Sequence, residues 1–120
     1  MDMPKREAGP LLQKSFAFAV RMMKFYRHLQ TNEREFIISK QLVRSATSIG
    51  ANAEEATGAI STADFTSKIS IAYKEARETS YWLRLLQAAG YSFYLFTTIV
   101  SNFVVFSTPF CGQAAAHKHS

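Results

Sequence analysis

With 120 residues, 48% of them hydrophobic, and only 5 glycines and 3 prolines, the chain has material for one domain with a real core. That composition suits a helical bundle and disfavours a β-sandwich. The net charge of +5 either draws RNA, DNA or an acidic protein or only keeps a small protein soluble, and the single cysteine, Cys111, excludes an intrachain disulfide.

The first residues, Met1 to Pro10, are polar and end in Gly9-Pro10, so residues 1–11 are expected to be a disordered lead-in. Lys5 and Arg6 form a basic pair, but Lys14 and Arg21 interrupt the apolar stretch that follows, and no signal peptide is read there. With the lone cysteine, the expectation is a reducing compartment, the cytoplasm.

A first helix is expected from about Leu12 to Leu29. Leu12, Phe16, Ala19, Met23 and Tyr26 form one stripe. Phe18, Met22, Phe25 and Leu29 form a second, about a quarter turn away. Together they exceed the apolar face of an ordinary surface helix, which points either to a subunit interface or to a larger core within the monomer. The narrow polar side is basic: Lys14, Arg21, Lys24 and His28, with Arg27 beside them.

Thr31 to Glu35 reads as a polar turn. A second helix then runs from about Phe36 to Ala59, with Leu42, Ala46, Ile49, Ala53 and Ala56 inward. It is rich in small residues, which let another helix approach closely. Gly50 lies mid-helix at a cost of about 1 kcal/mol relative to alanine, so close packing or a kink is expected there.

The third helix organises the rest. Phe65, Ile69, Ala72, Ala76, Thr79, Leu83 and Leu86 alternate at spacings of four and three and share one face. Ser61 and Asp64 provide an S-x-x-D start. Gly90 follows the stripe where a left-handed cap needs a residue without Cβ. Lys74 and Glu78 are spaced for an i,i+4 pair, and Tyr81, Trp82 and Leu85 widen the apolar surface.

From Leu85 to His117 no Asp or Glu occurs, and no Lys or Arg. Residues 93–110 are dense in aromatic and β-branched residues. They read as a buried fourth helix, as a membrane-seeking segment, or as a strand-prone or poorly ordered tail. The polar residues scattered through them weigh against a span, and the need for a fourth wall favours the helix. Residues 112–120 read as a disordered end, so residues 1–120 form a single domain.

The basic excess is uneven. From Met1 to Arg44 there are nine Lys/Arg against four Asp/Glu; from Ser45 to Ala89 there are four against five. No phosphate-binding glycine loop, nucleophile elbow or Cys/His zinc spacing occurs. Glu54, Glu55, Glu75 and Glu78 lack the Glu-x-x-His partners of di-metal bundles, so no metal and no cofactor is expected. Arg44, Ser48, Asn52 and Glu55 recur along one face of the second helix, and Glu75, Glu78 and Thr79 are placed to meet them from the third. A polar network is expected there, with Arg44 held by a carboxylate; the alternative is a solvated Arg44.

The run Ser39-Lys40-Gln41-Leu42-Val43-Arg44-Ser45-Ala46-Thr47-Ser48-Ile49-Gly50-Ala51-Asn52-Ala53-Glu54-Glu55-Ala56 resembles the signature of a bacterial four-helix-bundle family. That family is named after proteins encoded in intervening sequences of 23S rRNA genes and is also labelled a ribosomal protein family. Lys74-Glu75-Ala76-Arg77-Glu78-Thr79 with Tyr81-Trp82-Leu83 resembles its second signature, and Lys14-Ser15-Phe16 is a weaker match. The resemblance spans Leu11 to Tyr91. It implies an up-and-down four-helix bundle and a homopentamer without enzymatic activity. The chain is also similar to the accessory protein of diversity-generating retroelements, a basic pentameric barrel that binds nucleic acid and a reverse transcriptase. Members usually carry a charged, amphipathic fourth helix, whereas residues 93–110 here carry no charge.

The expectation is therefore an all-α, up-and-down four-helix bundle that self-associates, is not an enzyme and has no membrane span. It would bind RNA or DNA through phosphate contacts from Lys14, Arg21, Lys24, Arg27, Lys40 and Arg44. The alternative is a scaffold that docks a protein partner through its apolar helix faces.

Overall fold

The computed structural model describes residues 9–91. They form three helices, α1 (Pro10–Thr31), α2 (Ile38–Thr57) and α3 (Thr62–Ala88), with no strand among the described residues. The expected fourth helix at 93–110, Cys111 and the C-terminal end lie outside the described residues, as do residues 1–8 of the expected lead-in.

α1 starts earlier than the periodicity indicates. Pro10 and Leu11, expected in the disordered lead-in, are helical. The proline ring presets a helical φ, its missing N–H is needed by no partner at that position, and Gln13 N–H closes the first turn on Gly9 O at 3.1 Å. At the other end, Asn32 N–H donates to His28 O at 2.8 Å, and Arg34 adopts a left-handed φ of 54°. That turn brings Glu35 N–H back to Leu29 O at 2.9 Å.

Glu35 does more than fill the polar turn. Its carboxylate accepts from three successive backbone N–H groups, those of Ile37, Ile38 and Ser39, at 3.3, 3.0 and 2.6 Å. These donors have no partner within α2, and a carboxylate at this end also complements the helix dipole. Phe36 and Ile37, expected inside the helix, precede it.

α3 is 27 residues long, about 40 Å. Ser61 Oγ accepts from Asp64 N–H at 3.0 Å, and Asp64 Oδ2 accepts from Ile60 N–H at 3.3 Å, a capping arrangement at the expected place. At the C-terminus Gly90 takes φ 91°. Its N–H donates to Gln87 O, and Tyr91 N–H reaches back to Leu86 O, both at 3.0 Å. Tyr91 then packs on the core, completing a Schellman stop.

α2 is the central helix. Gln30 Nε2 donates to Ser39 Oγ at one end of the α1–α2 seam, and Gly50 faces Ser15 at the other, so these helices are antiparallel. Ser45 meets Thr79, and Glu55 meets Lys68, so α3 is antiparallel to α2. The core combines Phe18, Met22, Phe25 and Leu29 of α1 with Leu42, Ala46 and Ile49 of α2 and Ala72, Ala76, Leu83 and Leu86 of α3. Thr79, the one polar residue in the α3 stripe, is fully buried. Its hydroxyl lies 2.9 Å from Ser45 Oγ and 2.8 Å from the Glu75 carbonyl, so burial leaves it satisfied.

Gly50 reports how closely α1 and α2 approach. A Cβ there would lie 3.4 Å from Ser15 Oγ and 3.5 Å from the Ser15 carbonyl. That is contact without overlap. Gly50→Ala is therefore expected to stabilise the fold by about 0.5–1 kcal/mol in urea unfolding, through helix propensity. Gly50→Leu should destabilise it, because the added branch must displace the α1 backbone. Destabilisation by alanine as well would mean that the seam is tighter than this geometry.

Candidate nucleic-acid interface

α1 has a buried face, an apolar outer face and a set of uncompensated cations. Of the two stripes read from the sequence, only Phe18, Met22, Phe25 and Leu29 enter the core. In the other, Phe16 is 72% exposed and Met23 53%, and Val20 beside them is also exposed. Leu12, Ala19 and Tyr26 are half-buried at its edges.

α1 contains neither Asp nor Glu. Lys14 and Arg21 lie two turns apart on one flank, and Lys24 and Arg27 continue round to the outer side; all four are exposed. Lys40, exposed in the first turn of α2, lies at the same end of the bundle as Arg27, where Gln30 meets Ser39. None of these five cations forms an ion pair among the described residues. The nearest acids in sequence are engaged elsewhere. Glu33 Oε2 lies 2.8 Å from His28 Nε2, and Glu35 caps α2.

Arg44 is placed differently from those five. Nη1 lies 3.3 Å from Glu75 Oε2, and Nη2 donates to Glu78 Oε2. Glu78 Oε2 also accepts from Trp82 Nε1 at 2.9 Å. The indole N–H, followed by the Arg44 guanidinium, holds the Glu78 carboxyl below its ordinary pKa, against an opposing push from burial. Glu78 and then Glu75 in turn raise the Arg44 pKa. Arg44 remains half exposed, so the cluster sits at the rim of the α2–α3 seam.

The other residues expected in the same network go elsewhere. Asn52 Nδ2 donates to the Ser48 carbonyl at 2.9 Å and to Ser48 Oγ at 3.1 Å, both within α2. Glu55 pairs with Lys68 at 2.8 Å, and this carboxylate raises the Lys68 pKa. The single network expected from the sequence is thus three local arrangements. Lys74 makes no ion pair with Glu78, whose carboxylate is taken by Arg44 and Trp82.

Three further pairs were not anticipated, although spacing signals two of them. Trp82 follows Glu78 by four residues, and Arg77 lies over the Tyr73 ring at 6.0 Å, also four residues on. Arg84 lies over the Tyr81 ring at 5.8 Å. Among the described residues no group of three or more His, Cys, Asp or Glu is placed to hold a metal ion. No helix there is long and apolar enough to cross a membrane.

These side chains stand on a frame of antiparallel helices, and comparison with known proteins agrees on that frame. The sequence profile of the 23S rRNA-intervening sequence protein family matches residues 10–93. The crystal structure of a protein of unknown function from the S23 ribosomal protein family of Bacteroides thetaiotaomicron VPI-5482 superposes with a TM-score of 0.81 at 42% identity. The match covers 85% of this chain and 95% of that one. No functionally curated protein matches significantly. On the extent of the profile match and the close structural likeness, the chain belongs to the 23S rRNA-intervening sequence protein family.

Proposed function

We propose that this protein is a non-catalytic, self-associating cytoplasmic four-helix bundle that binds RNA or another nucleic acid through its basic surface. The observation that carries the reading is the cation set of α1: Lys14, Arg21, Lys24 and Arg27, all exposed on a helix without a carboxylate. Lys40 extends it. Arg44 contributes least, since both of its carboxylate partners are already in place. Unpaired cations on a rigid helix neutralise phosphates and release counterions, which gives affinity without reading bases. The outward apolar stripe around Phe16 and Met23 supports self-association, up to the pentamer that the family resemblance implies, because water leaves such a stripe when copies pack.

Fluorescence anisotropy with an RNA hairpin tests the reading. Five phosphate contacts predict that affinity falls by roughly two to three orders of magnitude between about 50 and 200 mM salt. Replacing Lys14, Arg21, Lys24 and Arg27 together by Gln should flatten that dependence and abolish most binding at low salt. Salt-independent binding would refute the phosphate-contact reading. The same stripe also favours a second reading, a scaffold for a protein partner; capture of a partner that survives nuclease treatment would put it first.

A further inference from the structure

The outer face of α3 carries a pattern absent from the cation set of α1. Tyr73, half-buried against the core at the edge of this face, is followed at four-residue spacing, about 6 Å of rise each, by the exposed Arg77 and Tyr81, and Arg84 continues the line one turn on. The line alternates ring and guanidinium, with Arg77 over Tyr73 at 6.0 Å and Arg84 over Tyr81 at 5.8 Å. Lys74 lies beside it, exposed. No acid shares this face. The two carboxylates that α3 carries beyond Asp64, Glu75 and Glu78, lie on the flank toward α2, where Arg44 takes both. Lys74, Arg77 and Arg84 make no ion pair among the described residues.

The Tyr81 ring is half exposed and held, with the Arg84 guanidinium over it. It is 49% exposed, and its inner side meets the Trp82 indole edge-on, with centroids 5.1 Å apart at 68°. Trp82 is itself fixed by its hydrogen bond to Glu78. The Arg44–Glu78–Trp82 cluster thus positions an exposed ring instead of facing a ligand itself.

We infer that this α3 face binds single-stranded nucleic acid, stacking unpaired bases on the guanidinium planes of Arg77 and Arg84, which the Tyr73 and Tyr81 rings back, and on the exposed part of Tyr81, with Lys74 at the phosphates. The inference rests on the nucleic-acid reading above and adds to it the class of ligand. A duplex hides the faces of its bases between neighbouring pairs and offers only phosphate and sugar to such a surface; an unpaired strand offers both charge and π-faces. An acid-free cationic face complements the polyanion, and the ring–guanidinium alternation is what distinguishes it from a merely basic one. Because a π-face does not read the 2′-hydroxyl, RNA and DNA single strands should bind alike.

The test is anisotropy with full-length protein and three probes: a short oligouridylate, the matching oligodeoxythymidylate and an RNA duplex of equal length. Tyr81→Leu keeps an exposed helix former and should weaken both single strands about tenfold while leaving the duplex within about twofold. The double variant R77Q/R84Q should weaken single strands more than the duplex, with circular dichroism confirming an intact fold for both variants. Unchanged single-strand binding by Tyr81→Leu, or equal losses on strand and duplex, would overturn the inference. If only the α1 Gln variant loses binding, the α3 face fails and the basic-surface reading stands. If the wild-type protein binds none of the probes, both fall together.

Discussion

Replacing Phe25 by alanine is expected to destabilise the fold by about 3–5 kcal/mol. Among the described residues Phe25 is the largest fully buried side chain, at 2% exposure. It stands in the one stripe of α1 that reaches the core, between Met22 and Leu29, against α2. Its ring also stacks on His28, with centroids 6.4 Å apart and 12° between planes. At its level in the antiparallel α1–α2 seam stand Leu42 and Ala46, both fully buried and already packed in the core, so neither is free to fill the space a benzyl group leaves. The cavity term therefore adds to the lost transfer energy. For a small domain with about 5–15 kcal/mol in total, such a loss brings α1 close to detachment. Urea unfolding followed by Trp82 fluorescence and by circular dichroism should show one earlier transition by both probes. A loss below about 1 kcal/mol would mean that α1 is not part of the same cooperative core.

Arg44→Glu is expected to cost about 2 kcal/mol at neutral pH, a figure already reduced for the screening that a half-exposed site receives from water. The change removes the bonds to Glu75 and Glu78 and sets a third carboxylate beside them. Its pH dependence discriminates further. In the wild-type protein the folded Glu78 pKa lies below its unfolded value of about 4.5. The pair thus contributes fully above that value, and the contribution is lost as pH falls through the lower folded pKa. Wild-type stability should therefore decline on acidification below about pH 4.5. In Arg44→Glu the three carboxylates repel, their folded pKa values rise, and protonation relieves the clash. The gap between variant and wild type should narrow as pH falls from 6 toward 4. A gap constant across that window, measured by thermal melts, would show that the contribution of Arg44 is packing by its stem and not charge.

Much of the frame follows from local rules. The α3 stripe, its Ser61 start and its Gly90 stop stand where spacing and cap chemistry put them, because each depends on residues within a few positions of one another. The inward line of α2 is legible for the same reason: small and aliphatic residues at spacings of three and four leave one face to bury. Pro10 shows the limit of reading apolar residues alone, since the helix start is set by a proline ring that carries no periodic signal. The Glu35 cap escapes a stripe reading in the same way.

The candidate site was less legible. The sequence determined which residues of this protein share a helix face, that α1 is basic without a single acid, and that two apolar stripes run along it. Only the packing of three helices decided which stripe is core: Phe18, Met22, Phe25 and Leu29 find α2, while Phe16 and Met23 are left outside. Packing also decided that Arg44 meets carboxylates more than thirty positions away while Glu55 turns to Lys68. The physical reason is that periodicity reports angle around one helix axis. The rotation and register of one helix against another come from how all the side chains interlock, and those two quantities determine which cations are left facing water.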